Sequence, residues 1–243
     1  MKLAVLSDVH ANLEALNATF AEIERQKAEK IFFLGDAVGY GADPNKCVKM
    51  INKFCDIKLL GNHDYVALGL DNSSNFNPVA KESIMWTQDK MRQKTIEILS
   101  DFDMEANFLD YYFVHATPDC PADWNYMLTP GDAEECFERF SQQICFVGHS
   151  HLPCVFCMHP DGSVSMTDTI TSFDAKPDCR YIINVGSVGQ PRDGNADACF
   201  AIIDTDKNQI DICRTEYDLE RAQQKMRKAQ LPEYLASRLA NGK

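Results

Sequence analysis

The sequence predicts an α/β fold, a four-layer α/β/β/α sandwich of two mixed sheets with flanking helices. Residues 1–64 read as β-α-β-α-β, and right-handed crossovers make such strands parallel neighbours in one sheet. The second half of the chain carries shorter strands separated by turns, which we assign to a second sheet packed on the first. No repeat, low-complexity tract or linker interrupts the 243 residues, so we interpret residues 1–243 as one domain.

The first half of the chain begins with a buried strand. Residues 3–6 form the continuous apolar run of a strand that is covered on both faces. A helix from about Asn12 to Glu29 follows, because apolar side chains recur there at intervals of three and four residues. The later elements of this half are strands over residues 30–34 and 57–60 and a helix from Pro44 to about Phe54.

Residues 65–101 lose the strand pattern. A turn-rich break over residues 71–75 precedes a predicted helix over residues 78–99, with Ile84 and Met91 directed inward. We interpret this segment as a helical insertion beside the end of the third strand, long enough to act as a lid. An ordinary crossover helix is the alternative.

The second half predicts hairpins, strands and a helical tail. Residues 215–243 form the tail, an amphipathic helix over residues 219–239 that Pro232 interrupts, and its Lys/Arg face is most simply solvated. The other elements are a hairpin around Asn107 ending in a strand over 111–114, a helix over 132–140, a strand over 144–147, a hairpin of 155–158 with 164–166, and strands over 181–185, 199–204 and 209–214.

Composition excludes several classes of function. The 24 basic and 36 acidic residues give a net charge of -12, which disfavours nucleic-acid binding because that requires a basic stripe. No apolar run approaches the roughly 20 residues that a membrane helix needs, so we expect no membrane partner. Small phosphorylated substrates are compatible with this charge, because a metal cluster can supply local positive charge.

The ten cysteines are expected to be reduced thiols, since the N-terminal segment is too short for a signal peptide. We therefore expect a cytoplasmic protein. Cys154 and Cys157 form a lone C-x-x-C in an apolar stretch. We interpret them as structural strand positions, with a zinc or redox pair as the alternative.

Ligand-type side chains follow five predicted strands, at the point where each strand ends. Five of the six histidines lie there, and only His159 lies elsewhere, in a hairpin turn. Histidines without a common function would be scattered through loops and helix faces. Open α/β sheets place their sites at this edge, so we expect one site. The five stretches are Asp8-Val9-His10, Gly35-Asp36, Gly61-Asn62-His63-Asp64, His115 and Gly148-His149-Ser150-His151.

The side chains in these stretches are imidazoles, carboxylates and an amide, with no thiolate. Such ligands suit manganese, iron, zinc and other first-row ions without choosing among them. Two metal ions about 3.5–4 Å apart need a bridging carboxylate and clamp the attacking and leaving oxygens of a phosphoryl group. Asp36, in the middle of the set, is the natural bridge. The glycine before Asp36, Asn62 and His149 lets the backbone turn sharply near the cluster.

The ordered set D-x-H, G-D, G-N-H-D, H and G-H-x-H resembles the motif series of the calcineurin-like metallophosphoesterases. Residues 35–44, 184–192 and 231–239 resemble the small prokaryotic phosphodiesterase branch of that superfamily, so the resemblance spans nearly the whole chain. It implies a dinuclear site of two divalent or trivalent metal ions (Mn, Fe, Zn, Ni or Co). It also implies hydrolysis of small phosphodiesters or dinucleoside polyphosphates through a metal-bridged hydroxide that attacks phosphorus.

The resemblance also implies roles for single residues. His63 would be the general acid beside the leaving oxygen, and Asn62 would contact substrate as well as metal. Asn12 would contact the same shell or only cap its helix, and Arg192 suits a fork-like phosphate contact or is merely solvated. The implied ligands are Asp8, His10, Asp36 and His151 for the first metal ion and Asp36, Asn62, His115 and His149 for the second.

Two positions depart from the protein serine/threonine phosphatases, whose second motif reads G-D-x-V-D-R-G. Gly39 stands where that motif has its Asp, which would orient the acid histidine. Tyr40 stands where it has its Arg, which would bind the phosphate. Protein phosphatase activity of that type is therefore disfavoured, and the orientation of His63, through Asp64 or through water, stays open. The alternatives are a phosphomonoesterase acting on nucleotides, sugar phosphates or phosphoprotein, and a non-catalytic scaffold. A homo-oligomer is compatible with either.

Overall fold

The computed structural model describes residues 1–169 and 171–243. Within these residues the chain forms twelve strands, eight α-helices and two short 3-10 helices, Ser73–Asn75 and Pro121–Asp123. The strands are β1 (Lys2–Leu6), β2 (Lys30–Phe33), β3 (Ile57–Lys58), β4 (Glu105–Phe108), β5 (Tyr111–Val114), β6 (Ile144–Val147), β7 (Cys154–Met158), β8 (Val164–Thr167), β9 (Ser172–Asp174), β10 (Arg180–Asn184), β11 (Ala198–Asp204) and β12 (Gln209–Thr215). The helices are α1 (Leu13–Gln26), α2 (Pro44–Phe54), α3 (Asn62–Ala67), α4 (Pro78–Lys90), α5 (Gln93–Ser100), α6 (Pro130–Phe137), α7 (Leu219–Lys228) and α8 (Glu233–Leu239).

The strands of the described residues form two mixed six-stranded sheets, which confirms the predicted fold class. The first sheet has the order β3-β2-β1-β11-β12-β9. In it β1, β2 and β3 are parallel, as predicted, and β11 pairs antiparallel with β1. The second sheet has the order β4-β5-β6-β10-β7-β8, with β5, β6 and β10 parallel. The predicted hairpins β4–β5 and β7–β8 are both present.

Side-chain alternation along the central strands creates the four layers. In β1, Val5 packs between the two sheets, whereas Leu6 packs with the helices on the outer side. In β6, Phe146 packs between the sheets and Val147 packs with α6. Successive strand residues point to opposite faces, so each sheet is apolar on both faces and carries helices on its outer one.

The parallel strands of both sheets end at one edge of the sandwich. The loop after β1 donates a backbone hydrogen bond to the loop after β2, from Asp8 N–H to the carbonyl of Gly35 at 2.9 Å. The loop after β6 donates to the end of β5, from Gly148 N–H to the carbonyl of His115 at 2.8 Å. These contacts bring the predicted site residues to the same edge.

The insertion departs from the prediction, because the helix expected over residues 78–99 is two helices, α4 and α5. Asn45 accounts for the break. Its Nδ2 donates to the carbonyl of Lys90 at 2.8 Å, and its Oδ1 accepts from the backbone N–H of Arg92 at 2.9 Å. The side chain thus pairs groups that a continuous helix would pair internally. Met91, between the two helices, is buried as predicted.

The sequence pattern misses the short elements α3 and β9 and places α6 too late in the chain. Helix α3 begins at Asn62, directly after Gly61, and its six residues are too few to show a helical repeat. Strand β9 has only three residues and pairs with β12 at the edge of its sheet. Helix α6 covers Pro130–Phe137 instead of residues 132–140, since Thr129 caps its N-terminus.

The C-terminal tail forms α7 and α8 on either side of Pro232, as predicted. The prediction of a solvated basic face is wrong for Lys225, whose Nζ donates to Glu14 and, at 2.6 Å, to Asp43. On the other side of the tail, Leu235 is fully buried in a cluster that also contains Tyr40. The tail is therefore packed against the elements that carry the site.

The cysteines are unpaired in the described residues. Cys154 and Cys157 belong to different clusters on the two faces of β7, so they are strand positions and do not face each other. Among the described residues, no helix combines the length and the hydropathy that crossing a bilayer requires.

Candidate metal centre

The structure gathers all seven predicted metal ligands at the edge where the parallel strands end. Each of the seven is at most 9% exposed. Six of them form two groups whose ligand atoms lie within 4.8 Å of one another, namely Asp8, His10 and His151, and Asp36, His115 and His149. The seventh, Asn62, begins α3 and lines the cavity beside these groups.

Most of these ligands lie on strained backbone. Left-handed conformations cost a non-glycine residue about 1–2 kcal/mol, and such strain concentrates at functional sites. Five predicted ligands have a φ between 46° and 64°: Asp8, His10, Asp36, His149 and His151. Two glycines allow the turns to approach closely, because a Cβ on Gly61 would clash with Asp36 and one on Gly148 would clash with Asp8. This agrees with the role predicted for glycine before Asn62 and His149.

Asp8 and Asp36 each use one carboxylate oxygen to hold the backbone. Asp8 Oδ2 accepts from the backbone N–H of His149 at 3.0 Å, and Asp36 Oδ1 accepts from the backbone N–H of His63 at 2.8 Å. The second oxygen of each carboxylate faces the histidines. Asp8 Oδ1 lies 3.2 Å from Nε2 of His151. Each carboxylate is therefore fixed in position while one oxygen stays available to a cation.

Asp36 lies between the two groups. Its Oδ2 is 3.6 Å from Nε2 of His10, in the first group, and 3.5 Å from Nε2 of His115, in the second. Of the two carboxylates, Asp36 is the one with an oxygen within 3.6 Å of an imidazole nitrogen from each group. This geometry is what a bridging ligand requires.

Three of the predicted ligand histidines are oriented through Nδ1. The Nδ1 atoms of His10, His115 and His151 lie 3.1, 3.0 and 2.6 Å from the backbone carbonyls of Val38, Leu34 and Gln190. A carbonyl only accepts, so in each ring Nδ1 carries a proton and Nε2 is the nitrogen left to bind a cation. A second contact of this kind is how proteins fix the tautomer of a metal-ligating histidine.

The unsatisfied atoms of the site match the predicted ligands. Buried polar atoms normally have a hydrogen-bond partner. Four ligand atoms are buried without one in the described residues: Asp8 Oδ1, Asn62 Oδ1, His115 Nε2 and His149 Nε2. Imidazole, carboxylate and amide donors in this arrangement suit divalent first-row ions. The residues present therefore fit the metal centre that the motif resemblance implies.

Burial and charge together set the protonation of the cluster. Burial raises the pKa of Asp8, but His151, His10 and His115 more than offset it and hold that pKa well below its usual range. Burial, with a smaller contribution from His115, lowers the pKa of His149 to about 4. Burial also lowers the pKa of His151, to about 3. Burial lowers the pKa of His115 as well, but Asp36 more than offsets it and raises that pKa to about 9, so a metal ion would displace a proton from this ring. Ionised carboxylates and neutral imidazoles are the forms that bind metal.

His63 lies beside the shared carboxylate, with a ring nitrogen within 4.8 Å of the ligand atoms of His10 and Asp36. Its ring centroid is 4.5 Å from those of Tyr40 and Phe76. Burial lowers the pKa of His63, and Asp36 acts in the opposite direction by favouring the protonated ring. The side chain is 4% exposed. Aromatic packing, rather than a carboxylate partner, thus holds the ring.

The structure also answers how His63 is oriented. Asp64 accepts hydrogen bonds from the backbone N–H groups of residues 37–38 and of Gly61 at 3.1–3.2 Å, so its carboxylate serves the backbone. Gly39 has a φ of 87°, and a Cβ there would clash with His63 Nδ1. Gly39, which replaces the phosphatase Asp, has no side chain, and the His63 ring occupies the space where a side chain would lie.

Asn12 lies at the edge of the site with both ends of its amide engaged. Its Oδ1 accepts from the backbone N–H of Ala15 at 3.1 Å and caps α1. Its Nδ2 donates to the carbonyl of Gly189 at 2.9 Å. These bonds favour the capping alternative over the substrate contact.

Arg192 lies next to the residue that replaces the phosphatase Arg. Its Nη2 donates to the hydroxyl of Tyr40 at 3.5 Å. Its backbone N–H donates to the carbonyl of His151 at 3.3 Å, so the loop that carries it is attached to the first ligand group. The guanidinium therefore approaches the site from a different loop than the phosphatase Arg does.

A cavity of about 160 Å³ opens beside His63, with Asn62 and His149 in its wall. Sequence reasoning missed three aromatic residues that line it, Phe76 from the insertion and Trp124 and Tyr126 from the loop after β5. Tyr126 stacks on His149 with a centroid distance of 4.3 Å, although it is 54% exposed. The available signal was a set of bulky aromatic residues in otherwise polar loops.

Comparisons with known proteins agree with this geometry. An uncharacterized protein of Methanocaldococcus jannaschii is 39% identical over 245 residues, which covers 99% of this chain and 98% of that protein. The crystal structure of a metallophosphoesterase from Sphaerobacter thermophilus has a TM-score of 0.88 and 36% identity, covering 100% of this chain and 99% of that one. A hypothetical protein from Pyrococcus horikoshii OT3 shares the fold, with a TM-score of 0.80, 20% identity and coverage of 100% and 98%.

The family comparison extends over most of the sequence. Residues 1–208 match the calcineurin-like phosphoesterase superfamily domain, and this span contains every predicted metal ligand. The two mixed sheets and the clustered histidines and carboxylates are in accord with that match. The chain belongs to the calcineurin-like phosphoesterase superfamily.

Proposed function

We propose that the chain is a phosphoesterase that uses two metal ions to hydrolyse small phosphodiesters or dinucleoside polyphosphates. The observation that carries the proposal is the position of Asp36 Oδ2, within 3.6 Å of a histidine from each ligand group. His63 next to the same carboxylate supports acid catalysis at that point. Family membership supports phosphoester chemistry in general.

Two sets of side chains would hold the ions. Bound ions at such a site supply positive charge to phosphate oxygens and lower the pKa of water. The chain contributes fixed donors in a dry environment, where each electrostatic contact is stronger than in water. The proposed sets are Asp8, His10, Asp36 and His151 for one ion and Asp36, Asn62, His115 and His149 for the other.

His63 is proposed as the general acid. It lies between the ligand groups and the cavity, where the leaving group of a substrate would sit. A proton on its ring can pass to the leaving oxygen as the bond between phosphorus and oxygen breaks. Tyr40 and Phe76 both pack against the ring, so little reorientation is needed during the transfer.

The space around the site supports a diester over a monoester. A diester carries an organic group on each side of the reacting phosphate. The cavity beside His63 offers room for one group, and a second cavity of about 490 Å³ lies beyond Tyr40 and Tyr126, which line both cavities. A monoester would need only one of these spaces.

Hydrolysis of bis-p-nitrophenyl phosphate and of p-nitrophenyl phosphate, each with added Mn²⁺, tests the proposal. We expect the kcat/KM of the diester to exceed that of the monoester by about tenfold or more, a difference of 1.4 kcal/mol. A reversed ratio would identify a phosphomonoesterase. Hydrolysis of neither compound, nor of a panel of phosphorylated metabolites with Mn²⁺, Fe²⁺, Zn²⁺, Ni²⁺ or Co²⁺, would favour the scaffold.

A further inference from the structure

The second cavity contains two arginines, Arg192 and Arg238. We propose that they form a subsite for a second phosphate group, so that the substrate is a nucleotide-like polyphosphate ester and not a simple diester. This inference rests on the proposed function and specifies its substrate class. We call the pair, with the cavity of about 490 Å³ that it lines, the arginine subsite.

The subsite carries positive charge without a balancing aspartate or glutamate. The residues lining it include neither of these acids. Among the described residues, neither arginine forms an ion pair with an acidic side chain, whereas Arg221 and Arg227 of the same tail pair with Glu14 and Glu233. In a chain with a net charge of -12, two guanidinium groups without acidic side-chain partners mark a place that suits an anion.

Donor groups of both arginines stay available. Arg192 Nε is buried and has no hydrogen-bond partner in the described residues, and Nη2 makes only the 3.5 Å contact with Tyr40. Arg238 uses Nε to donate to the main-chain oxygen of Lys243, the last residue of the sequence. Its Nη groups have no hydrogen-bond partner among the described residues. A planar guanidinium with free donors is the side chain that best matches phosphate oxygens.

The tail holds Arg238 in place. On α8, Leu235 and Leu239 are buried in the cluster that includes Tyr40, so the helix is anchored to the wall of the site. The Arg238 guanidinium also lies over the ring of Tyr234, 5.3 Å from its centroid. Because the family match ends at residue 208, the tail and its arginine lie outside the matched domain.

The two guanidinium groups line the same cavity, so their like charges oppose each other. Burial, followed by the charge of Arg192, lowers the pKa of Arg238. Like charges held together in this way lose free energy that a bound anion would restore. The cavity shares Tyr40, Asn77 and Tyr126 with the cavity beside His63, so one extended substrate can reach both.

Binding of ADP and AMP, measured by calorimetry with Mn²⁺ present, tests the subsite without requiring turnover. We expect the wild-type protein to bind ADP at least about tenfold more tightly than AMP, the ratio for 1.4 kcal/mol. In Arg238→Ala that ratio should fall close to one, and Arg238→Lys should recover only part of it, because a point charge cannot replace a planar fork. Melting temperatures establish that each variant is folded.

Arg227→Ala is the matched control, since it removes the same charge from the same tail but pairs with Glu233 away from the cavity. It should keep the wild-type ratio. Equal affinities of the wild-type protein for ADP and AMP would overturn the inference, as would an unchanged ratio in Arg238→Ala. Failure to hydrolyse any phosphodiester would instead contradict the proposed function and leave the binding result interpretable.

A separate observation concerns the far end of β7 from the metal centre. Cys157, His159 and Cys179 place their ligand atoms within 4.8 Å of one another. We infer that these three residues form a second, thiolate-rich metal site for Zn²⁺ or a similar borderline-soft ion, with a fourth position open to solvent. The inference does not depend on the arginine subsite.

The sheet and the ring contacts support this site. Cys157 pairs with Ser165 on β8 and with Tyr181 on β10, which fixes its strand beside the loop that carries Cys179. His159 Nδ1 faces the sulfur of Cys157 at 3.9 Å, and Nε2 lies 2.8 Å from the hydroxyl of Ser165. The hydroxyl thus orients the ring so that Nδ1 faces the two thiols, as second contacts do in metal sites.

Addition of Co²⁺ to the reduced, metal-free protein tests the site. Only thiolate ligands give an intense sulfur-to-cobalt absorption band, and the centre near Asp36 contains no cysteine. We expect the band in the wild-type protein and in Cys154→Ser, whose residue lies on the other face of β7. Cys157→Ser and Cys179→Ser should lose it. A wild-type protein without the band, or one with a Cys157–Cys179 disulfide under reducing purification, would overturn the assignment.

Discussion

Gly39 shows at the scale of a single residue how the site depends on an absent side chain. We expect Gly39→Ala to push the His63 ring out of position, because the added Cβ would clash with Nδ1. Activity on bis-p-nitrophenyl phosphate should fall about 10²-fold or more, toward the loss that removal of the general acid produces. Steady-state kinetics at saturating Mn²⁺ measure this.

Gly69→Ala separates the clash from backbone strain. Gly69 also has a positive φ, 74°, but a Cβ there meets nothing within 4 Å. This control should lose about 1–2 kcal/mol of unfolding free energy, the cost of a left-handed alanine, and keep its activity. Equal activity of the two alanine variants would show that Gly39 does not position His63.

His63→Ala tests the proposed general acid directly. We expect turnover to fall by a factor on the order of 10²–10⁴ with metal content unchanged, because the residue supplies a proton and not a ligand. The loss should shrink for substrates with good leaving groups, which need little protonation. If metal content fell and turnover fell by the same factor for substrates with every leaving group, His63 would be a ligand or a scaffold residue.

Asp36→Asn tests the shared carboxylate. The amide removes the charge that lies 3.6 Å from His10 and 3.5 Å from His115, so both ions should bind more weakly. We expect a loss of metal affinity beyond the roughly 10–100-fold that follows when a residue hydrogen-bonded to a metal ligand is removed. Metal analysis after dialysis, with Asp8→Asn for comparison, measures it. Loss of one ion only would contradict the bridge.

At the scale of elements, the tail is attached to α1 and α2 through Lys225. We expect Lys225→Met to lower the unfolding free energy by about 1–3 kcal/mol, because it leaves two carboxylates, Glu14 and Asp43, without their shared donor. Denaturant unfolding at pH 7 measures the loss. Lys228→Met, on the same helix but with no ion pair in the described residues, is the control and should change little.

This stabilisation should depend on pH. Burial raises the pKa of Asp43, but hydrogen bonds from Lys225 and Lys46 more than offset it and leave that pKa below its usual value. A carboxyl group with a lowered folded-state pKa stabilises the fold above its unfolded pKa and loses that contribution as the pH falls through the folded value. The difference between wild type and Lys225→Met should therefore be full at pH 6–8 and shrink below about pH 4. A constant difference down to pH 3 would exclude the Asp43 contact as its source.

The elements also show what sequence reasoning can reach. Long apolar strands and the order of ligand motifs were predictable, because burial and metal chemistry each restrict the residue type at a position. The break between α4 and α5 was not, since it depends on Asn45, a side chain nearly fifty positions away in sequence. Tyr126 and Arg238 were missed for the same reason. Their roles come from loops and a tail whose docking no local pattern records.

For the whole molecule, metal should govern both activity and stability. The ligand atoms that are buried without a hydrogen-bond partner and the left-handed backbone of five ligands raise the free energy of the metal-free fold. We expect Mn²⁺ at 100 times its Kd to add about 2.7 kcal/mol to the unfolding free energy. This corresponds to a rise in Tm on the order of 5–10 °C, visible in a thermal melt.

A chelator should reverse the rise in Tm and abolish hydrolysis, and added Mn²⁺ should restore both. Mg²⁺ is the appropriate comparison, because imidazole ligands favour first-row ions over it. Full activity of the chelated, metal-free protein would end the proposed mechanism. An unchanged Tm would show that the ligand groups do not bind Mn²⁺ when folded.

The order of strands in the first sheet has a consequence for the newly made chain. Strand β1 (Lys2–Leu6) is synthesised well before its antiparallel neighbour β11 (Ala198–Asp204). At the usual 5–20 residues per second, β1 waits on the order of 10–40 s with one edge unpaired. During that interval Asp8 and His10 have no finished sheet to hold them. We therefore expect the chain to acquire its metal ions only after β11 has been made.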